Sequence, residues 1–304
     1  MKNNPASSVI GIVIGLAAVY WFRSHSREPY YVLALLLLPS VLMYTLGPIA
    51  IYLAVRNPSR PKLEPVTPAD ASIPIEQSDT MLAYIESLHR MGFVPAGNWF
   101  RSSEAKNRDN GVVTVLQHHG TTDVATVIAM NNGGVTLGFS VCRSNGTKIR
   151  TGASTQRNAI PSNPKDSVVR IKGQCSPDYL WMLHTARVAK DKLATENPPL
   201  ANPFAYQLSE EVESLKNHLA SGYFVAAGDG ARIRPTVLGA LMMTLRMASP
   251  TAQVVEWQER QRLLSILKKL HLPTFKEFKA QQVASQTRQD EPLHVPPGTR
   301  TAMA

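Results

Sequence analysis

Charge is missing from two long stretches within the first 55 residues of the chain. Neither Asn3–Phe22 nor Tyr30–Val55 contains Asp, Glu, Lys or Arg. A helix rises about 1.5 Å per residue, so about 20 apolar residues suffice to cross a hydrocarbon core about 30 Å thick. The two stretches therefore predict a transmembrane helical hairpin over residues 1–55.

Cysteine and the common catalytic motifs are also scarce. Cys142 and Cys175 are the only two cysteines, which excludes a disulfide framework, and the chain has no CxxC motif to suggest structural zinc. It has no Gly-rich phosphate loop, GxSxG elbow or HExxH helix. The sequence therefore predicts no cofactor and no metal, and it favours a protein that is not an enzyme.

The first uncharged stretch is interpreted as a retained span and not as a secretory signal peptide. Tyr20–Phe22 forms an aromatic belt, and no small-x-small cleavage site follows it. Gly11 and Gly15 form a GxxxG step that lets two helices approach closely. This step favours packing within the hairpin and leaves a homodimer open as an alternative.

Basic residues predict the orientation of the hairpin. The connecting loop Arg23–Pro29 holds two arginines, whereas the outer flanks hold four basic residues. These are Lys2, Arg56, Arg60 and Lys62. The positive-inside rule then places both termini and the soluble part in the cytoplasm, attached to a bacterial inner membrane by two spans. The expected partners are the lipid bilayer, its anionic headgroups or another membrane protein.

The net charge of +10 lies almost entirely beyond the uncharged stretches. A basic soluble part beside a bilayer attracts anionic lipid headgroups or nucleic acid, or is simply solvated. Composition divides this part into a Pro-rich linker (56–76), an α+β domain (77–196), a helix–hairpin–helix section (197–280) and a disordered tail (281–304). The predicted fold class is α+β, with an antiparallel sheet covered by helices and a helical C-terminal section.

Local signals predict where individual elements begin. Ser78 and Ser209 are interpreted as helix N-caps, and Ser176 is a third cap with proline at the next position. Asn145–Gly146 predicts a type I′ hairpin turn, which requires positive φ at both residues. Thr236 is the predicted start of another helix.

A basic sheet face is one candidate site. Lys148 and Arg150 flank an isoleucine, and so do Arg170 and Lys172. Because strand side chains alternate between faces, each cationic pair should lie on one face of its strand. If the two strands are close, the four cations form a candidate surface for anionic groups. The alternative is an ordinary solvated sheet face.

A second candidate is the polar cluster of His118, His119 and Asp123. Adjacent strand residues point to opposite faces, so the two histidines should not share a metal. Asp123 follows a short turn and could hydrogen-bond to one of them. Such a pair suits acid–base chemistry, and a purely structural role is the alternative.

Residues 218–240 read HLASGYFVAAGDGARIRPTVLGA. A helix runs into a Gly-aromatic pair, a short hairpin follows, and a Thr-x-x-Gly step starts another helix. This order resembles the back half of a winged-helix DNA-binding domain, and the resemblance implies that residues 222–236 form the wing. It is confined to this segment, and three glutamates on the helix in the recognition position would repel phosphates.

These observations predict a non-enzymatic binding or scaffolding module at the cytoplasmic membrane surface. A membrane-tethered DNA-binding regulator and an enzyme of unrecognised type are the two alternatives. Nucleic acid is the less favoured partner.

Overall fold

The computed structural model of the chain describes residues 29–59, 63–66, 74–95, 99–102, 111–121, 123–130, 134–157, 159–191, 202–228 and 232–289. The helices are α1 (Pro29–Ala54), α2 (Ile75–Arg90), α3 (Pro177–Lys190), α4 (Pro203–Ala220), α5 (Val237–Met247), α6 (Thr251–Leu270) and α7 (Phe275–Gln289). The strands are β1 (Asn57–Pro58), β2 (Leu63–Val66), β3 (Phe93–Pro95), β4 (Trp99–Ser102), β5 (Val112–His118), β6 (Val124–Met130), β7 (Gly134–Cys142), β8 (Lys148–Ser154), β9 (Ser167–Lys172), β10 (Phe224–Ala226) and β11 (Arg232–Pro235).

The main sheet has eight strands in the order β2-β4-β5-β6-β7-β8-β9, with β3 pairing beside β5. Every pair is antiparallel except β8 and β9, which run parallel. The predicted α+β class is confirmed. The predicted antiparallel sheet needs one correction, because its last strand joins in the parallel sense.

Alternation along the strands separates the two faces of this sheet. Leu137 and Phe139 point to an inner face, where helices α2, α3 and α6 cover a fully buried core. Val113 and Val115 point to the outer face, where a small cluster packs against Tyr206 of α4. Both faces of the sheet are therefore covered. A large apolar core and several helices cover the inner face, whereas α4 covers the outer face.

A second, three-stranded sheet of order β1-β11-β10 carries the predicted hairpin. Thr236 caps the following helix α5, because its hydroxyl accepts a hydrogen bond from the Gly239 amide at 3.0 Å. Helix α1 packs along α5 and reaches α6, where the Tyr44 hydroxyl lies 2.8 Å from Thr251 Oγ1. The C-terminal helices and α1 thus form one packed unit.

The prediction of two membrane spans is wrong. Within the described residues, no helix combines the length and the apolar character that crossing a membrane requires. This finding also overturns the inner-membrane localisation derived from those spans. The second uncharged stretch instead forms α1, whose Gly47 packs against Thr244 of α5. Asn3–Phe22, with Gly11 and Gly15, lies outside the described residues.

An uncharged run misled the prediction because hydropathy alone does not distinguish contacts with lipid from contacts with protein. Pro39, Gly47 and Pro48 interrupt the apolar side chains of α1, and its Tyr44 makes polar contacts with another helix. Gly47 and Tyr44 thus lie where α1 meets α5 and α6. Several of its other apolar side chains, such as Leu46 and Ile49, are exposed.

Helix caps show where local signals suffice. Ser176 accepts from the Tyr179 amide with Pro177 at the first helical position, as predicted. The predicted N-caps at Ser78 and Ser209 are wrong, because α2 begins at Ile75 and Asn202 is the N-cap of α4. Helix α7 continues to Gln289, into the stretch whose composition predicted a disordered tail.

The β7–β8 hairpin forms where predicted but with a different turn. Gly146 has φ +77°, whereas Asn145 does not have positive φ. The turn is therefore not type I′, which needs positive φ at both positions. The Gly146 amide donates to the Arg143 carbonyl at 2.9 Å and closes the turn one residue earlier.

Candidate functional site

A cavity of about 490 Å³, lined by both polar and apolar residues, lies on the outer face of the main sheet. The sheet forms its floor, α4 forms one wall, and residues 159–163 of the β8–β9 connection form another. Its volume is within the range of about 300 to 1,000 Å³ that is usual for small-molecule sites. The α4 side chains that line it are Tyr206, Gln207, Glu210, Ser214, Asn217 and His218.

Two glycines that pair across neighbouring strands leave the floor of the cavity without side chains at its centre. Gly138 of β7 pairs directly with Gly152 of β8, and the same row continues to Thr126 on β6 and to Arg170 on β9. A Cβ on Gly138 would meet nothing closer than a backbone oxygen 4.0 Å away. Three strand spacings separate the ends of this row, about 14 Å. The missing side chains therefore leave a trough with an arginine at one end.

That arginine is the most unusual group in the cavity. Among the residues that the structure describes, Arg170 has no hydrogen-bond or ion-pair partner, and it is only partly exposed. Burial lowers the pKa of its guanidinium from the ordinary value. Glu259, which pairs with Arg246, lies close enough to Arg170 to offset part of this lowering. Among the described residues, however, no acidic side chain lies within ion-pair distance of Arg170. A partly buried cation without a direct anionic partner is costly, and an anionic ligand would reduce that cost.

The other predicted cations lie on the same outer face but are already paired. Lys148 donates to Glu210 and, at 2.6 Å, to Glu213 of α4. Arg150 Nη2 lies 2.9 Å from Glu210 Oε2. These ion pairs attach α4 to the sheet.

Lys172 is paired as well, with its Nζ 2.5 Å from Glu256 Oε2 on α6. Three of the four predicted cations, Lys148, Arg150 and Lys172, form direct ion pairs. Among the described residues, Arg170 has no acidic side chain within ion-pair distance, and Glu259 acts on it only from farther away. The binding of an anionic surface by these four stays a prediction. The geometry favours a small anion at Arg170 more than a broad basic surface.

Tyr206 and Ser140 form a polar pair at the wall of the cavity. Their hydroxyl oxygens lie 3.0 Å apart, and burial raises the pKa of Tyr206 to about 12. The phenol is therefore neutral at physiological pH and offers a hydrogen bond, not a charge.

A chain of buried polar groups crosses the inner face of the sheet. Arg187 donates to Thr151 Oγ1 at 2.5 Å, and that hydroxyl lies 3.1 Å from Nδ1 of His184. His184 Nε2 lies 3.3 Å from Asp123 Oδ1, and Asp123 Oδ2 accepts from Thr121 at 2.5 Å. All donors and acceptors are matched when His184 is neutral with its proton on Nε2.

This row of hydrogen-bonded groups contains a His–Asp pair, but the burial of the pair fits a structural role better than a catalytic one. His184 is completely buried and Asp123 almost so, and neither residue lines the cavity under α4. A catalytic pair must reach a substrate atom. The chain instead ties β8 to α3.

The predicted cluster of His118, His119 and Asp123 is only partly brought together. His118 Nδ1 accepts from the Thr121 amide at 3.0 Å, and its ring stacks on Trp181. His119 is exposed, and the side chain of Asp123 turns to His184. The contact of Asp123 with His184 has no local sequence signal, because it spans 61 positions.

The two cysteines are free thiols. Burial raises the pKa of Cys175 to about 12, which makes its thiol unreactive at neutral pH. No group of three or more His, Cys, Asp or Glu side chains within the described residues could hold a metal ion.

Acid should weaken the fold through His184. Burial lowers the pKa of His184 below its ordinary value, so below about pH 6.5 the unfolded chain binds a proton that the folded chain does not. The stabilising contribution of the neutral ring is thus present above that pH and is lost as the pH falls. Relative to His184→Gln, the free energy of unfolding should fall by up to about 1.4 kcal/mol per pH unit.

Urea unfolding of both proteins at a series of pH values measures this difference. A gap between the two proteins that stays constant from neutral to mildly acidic pH would contradict the assignment of a neutral buried ring.

Comparisons of the chain with models of protein families, with curated proteins and with solved structures found no match. The fold and the site by themselves define an α+β protein with a cavity on the outer face of a mixed sheet.

Proposed function

We propose that the protein is a non-enzymatic binding module whose ligand is a small polar molecule with an anionic group. The observation that carries this proposal is Arg170 at the end of a cavity of about 490 Å³. It is a partly buried cation, and among the described residues no acidic side chain lies within ion-pair distance of it, although Glu259 acts on it from farther away. The anionic group of the ligand pairs with Arg170, and its body lies along the glycine floor.

The walls suit a polar ligand body. Gln207, Ser214 and Asn217 of α4 offer side-chain donors and acceptors, and Asn163 offers another from the opposite wall. Hydrogen bonds from such groups fix the orientation of a ligand in a cavity. The carboxylates of Glu210 and Asp166 are held by Lys148 and Arg150, so they repel an incoming anion less than free acids would.

Binding of inorganic phosphate to the full chain tests the role of Arg170. At ten times its dissociation constant, phosphate should raise the free energy of unfolding by about 1.4 kcal/mol over sodium chloride of equal ionic strength. Arg170→Gln should abolish this gain, and Arg170→Lys should keep part of it. Arg232→Gln, which changes an exposed arginine that does not line the cavity, is the control and should bind phosphate as the wild type does.

Filling the cavity provides a second, independent variant. Gly138→Leu adds a side chain over the floor where the backbone leaves room, so it should block binding without loss of stability. Gly138→Ala adds one methyl group and should weaken binding only slightly. Equal phosphate stabilisation in all these proteins, or none in the wild type with phosphate or citrate, would contradict the proposal.

A further inference from the structure

A second cavity, of about 460 Å³, lies between β9 and helix α6. It shares Arg170 with the cavity under α4 but otherwise has its own walls, including Trp257, Arg260 and Leu263 of α6. The geometry points to a separate binding site for an amphipathic carboxylate, a molecule with one acidic head and an apolar body.

The apolar part of this site is a strip along α6. Ala252, Val255, Trp257 and Leu263 all line the cavity, and Trp257 is 60% exposed. A large aromatic ring that is mostly exposed while it lines a cavity can gain contact area from a ligand. About 25 cal/mol per Å² of covered apolar surface favours an apolar ligand body over a fully polar one.

The charge of the site selects an anion. Five cationic side chains and two carboxylates line the cavity, so three positive charges are in excess. The cations are Arg157, Arg170, Lys172, Arg246 and Arg260. The carboxylates are already engaged, since Glu256 pairs with Arg157 and Lys172 at 2.5 Å and Glu259 pairs with Arg246 at 3.0 Å.

Arg260 is the group that receives the carboxylate. It is exposed and has no ion-pair partner in the part of the chain that the structure describes. It follows Trp257 by three positions, so the two side chains are neighbours on the helix. An acidic head at Arg260 therefore leaves the apolar body of the ligand over Trp257 and Leu263.

Fluorine NMR of the full chain, labelled with 5-fluorotryptophan, tests this site with decanoate as the probe. The chain has four tryptophans, and Trp257→Phe identifies the resonance of Trp257. Decanoate should shift that resonance saturably and leave the resonance of Trp181, which packs partly buried against the inner core, unchanged. Arg260→Gln should raise the midpoint of the titration about tenfold, because it removes a charge-assisted hydrogen bond.

Arg262→Gln is the matched control, because Arg262 lies on the same helix but does not line this cavity. It should leave the midpoint unchanged. Decan-1-ol, which has the same chain without the charge, should bind more weakly. No saturable shift, equal midpoints for decanoate and decan-1-ol, or no change in Arg260→Gln would overturn the inference. Arg170 lines both cavities, but Trp257 and Arg260, which give the readouts of this test, do not line the cavity under α4. Failure of this inference and failure of phosphate binding at Arg170 can therefore be told apart.

Discussion

Replacing Gly239 by alanine is expected to lower the thermal midpoint of the chain by roughly 6 to 12 °C. A Cβ at this position would lie 1.9 Å from the carbonyl oxygen of Tyr223 and 2.8 Å from its carbon. The obstacle is backbone and not a flexible side chain, so α5 must move away from the segment after α4. Such overpacking costs about 3 kcal/mol.

The loss of stability is large because hydrogen bonds hold the start of α5 against the residues that follow α4. Thr236 donates from its amide to the Tyr223 carbonyl at 2.9 Å and from its hydroxyl to the Gly222 carbonyl at 2.6 Å. Moving α5 breaks both bonds. Gly228→Ala is the control, since nothing lies within 4 Å of a Cβ there. Circular dichroism during heating measures the thermal midpoint of each variant. Similar midpoints for Gly239→Ala and Gly228→Ala would refute the expectation.

Arg187→Met should cost about 2 to 5 kcal/mol of folding free energy, because buried acceptors lose a charged hydrogen-bond donor. The guanidinium is buried and joins the two parallel strands, because it donates to the Arg150 carbonyl of β8 and to the Ser167 carbonyl of β9, both at 2.7 Å. Burial, with repulsion from Arg143 and Arg262, lowers the pKa of Arg187 to about 10. Methionine fills the space but donates to neither carbonyl.

Arg187→Lys should not restore stability, because one ammonium group cannot reach both strands as the forked guanidinium does. Hydrogen exchange of the β9 amides is the specific measurement. Protection should fall first along residues 167–172 in both variants and remain in β5 and β6. Uniform loss of protection, or wild-type stability of Arg187→Lys, would show that Arg187 does not hold the strand pair.

The sequence was informative wherever short-range chemistry decides the structure. Ser176 followed by proline marks a helix start within three residues, and the period of two places Lys148 and Arg150 on the same face. Thr236 and Gly239 were recognised as a step before a helix. The structure explains the glycine of this step, because a Cβ at position 239 would collide with the Tyr223 carbonyl.

Features that depend on contacts between distant residues could not be predicted from local sequence patterns. The trough exists because Gly138 and Gly152 are opposed across two strands, and that register depends on the whole sheet. A glycine inside a strand pattern is a signal of close approach, which could have drawn attention to both. The ion pairs of Lys148 with α4 join residues more than 60 positions apart. They turned a predicted basic surface into a mostly neutralised one.

The parallel pairing of β8 and β9 has a consequence for the cavity under α4. Antiparallel neighbours are joined by a tight turn, whereas parallel neighbours need a crossover that returns the chain to the starting end. Here that return passes over the sheet and supplies residues 159–163. Lengthening or shortening this crossover would therefore resize the mouth of the cavity while every strand kept its place, so ligand preference can change without altering the framework beneath.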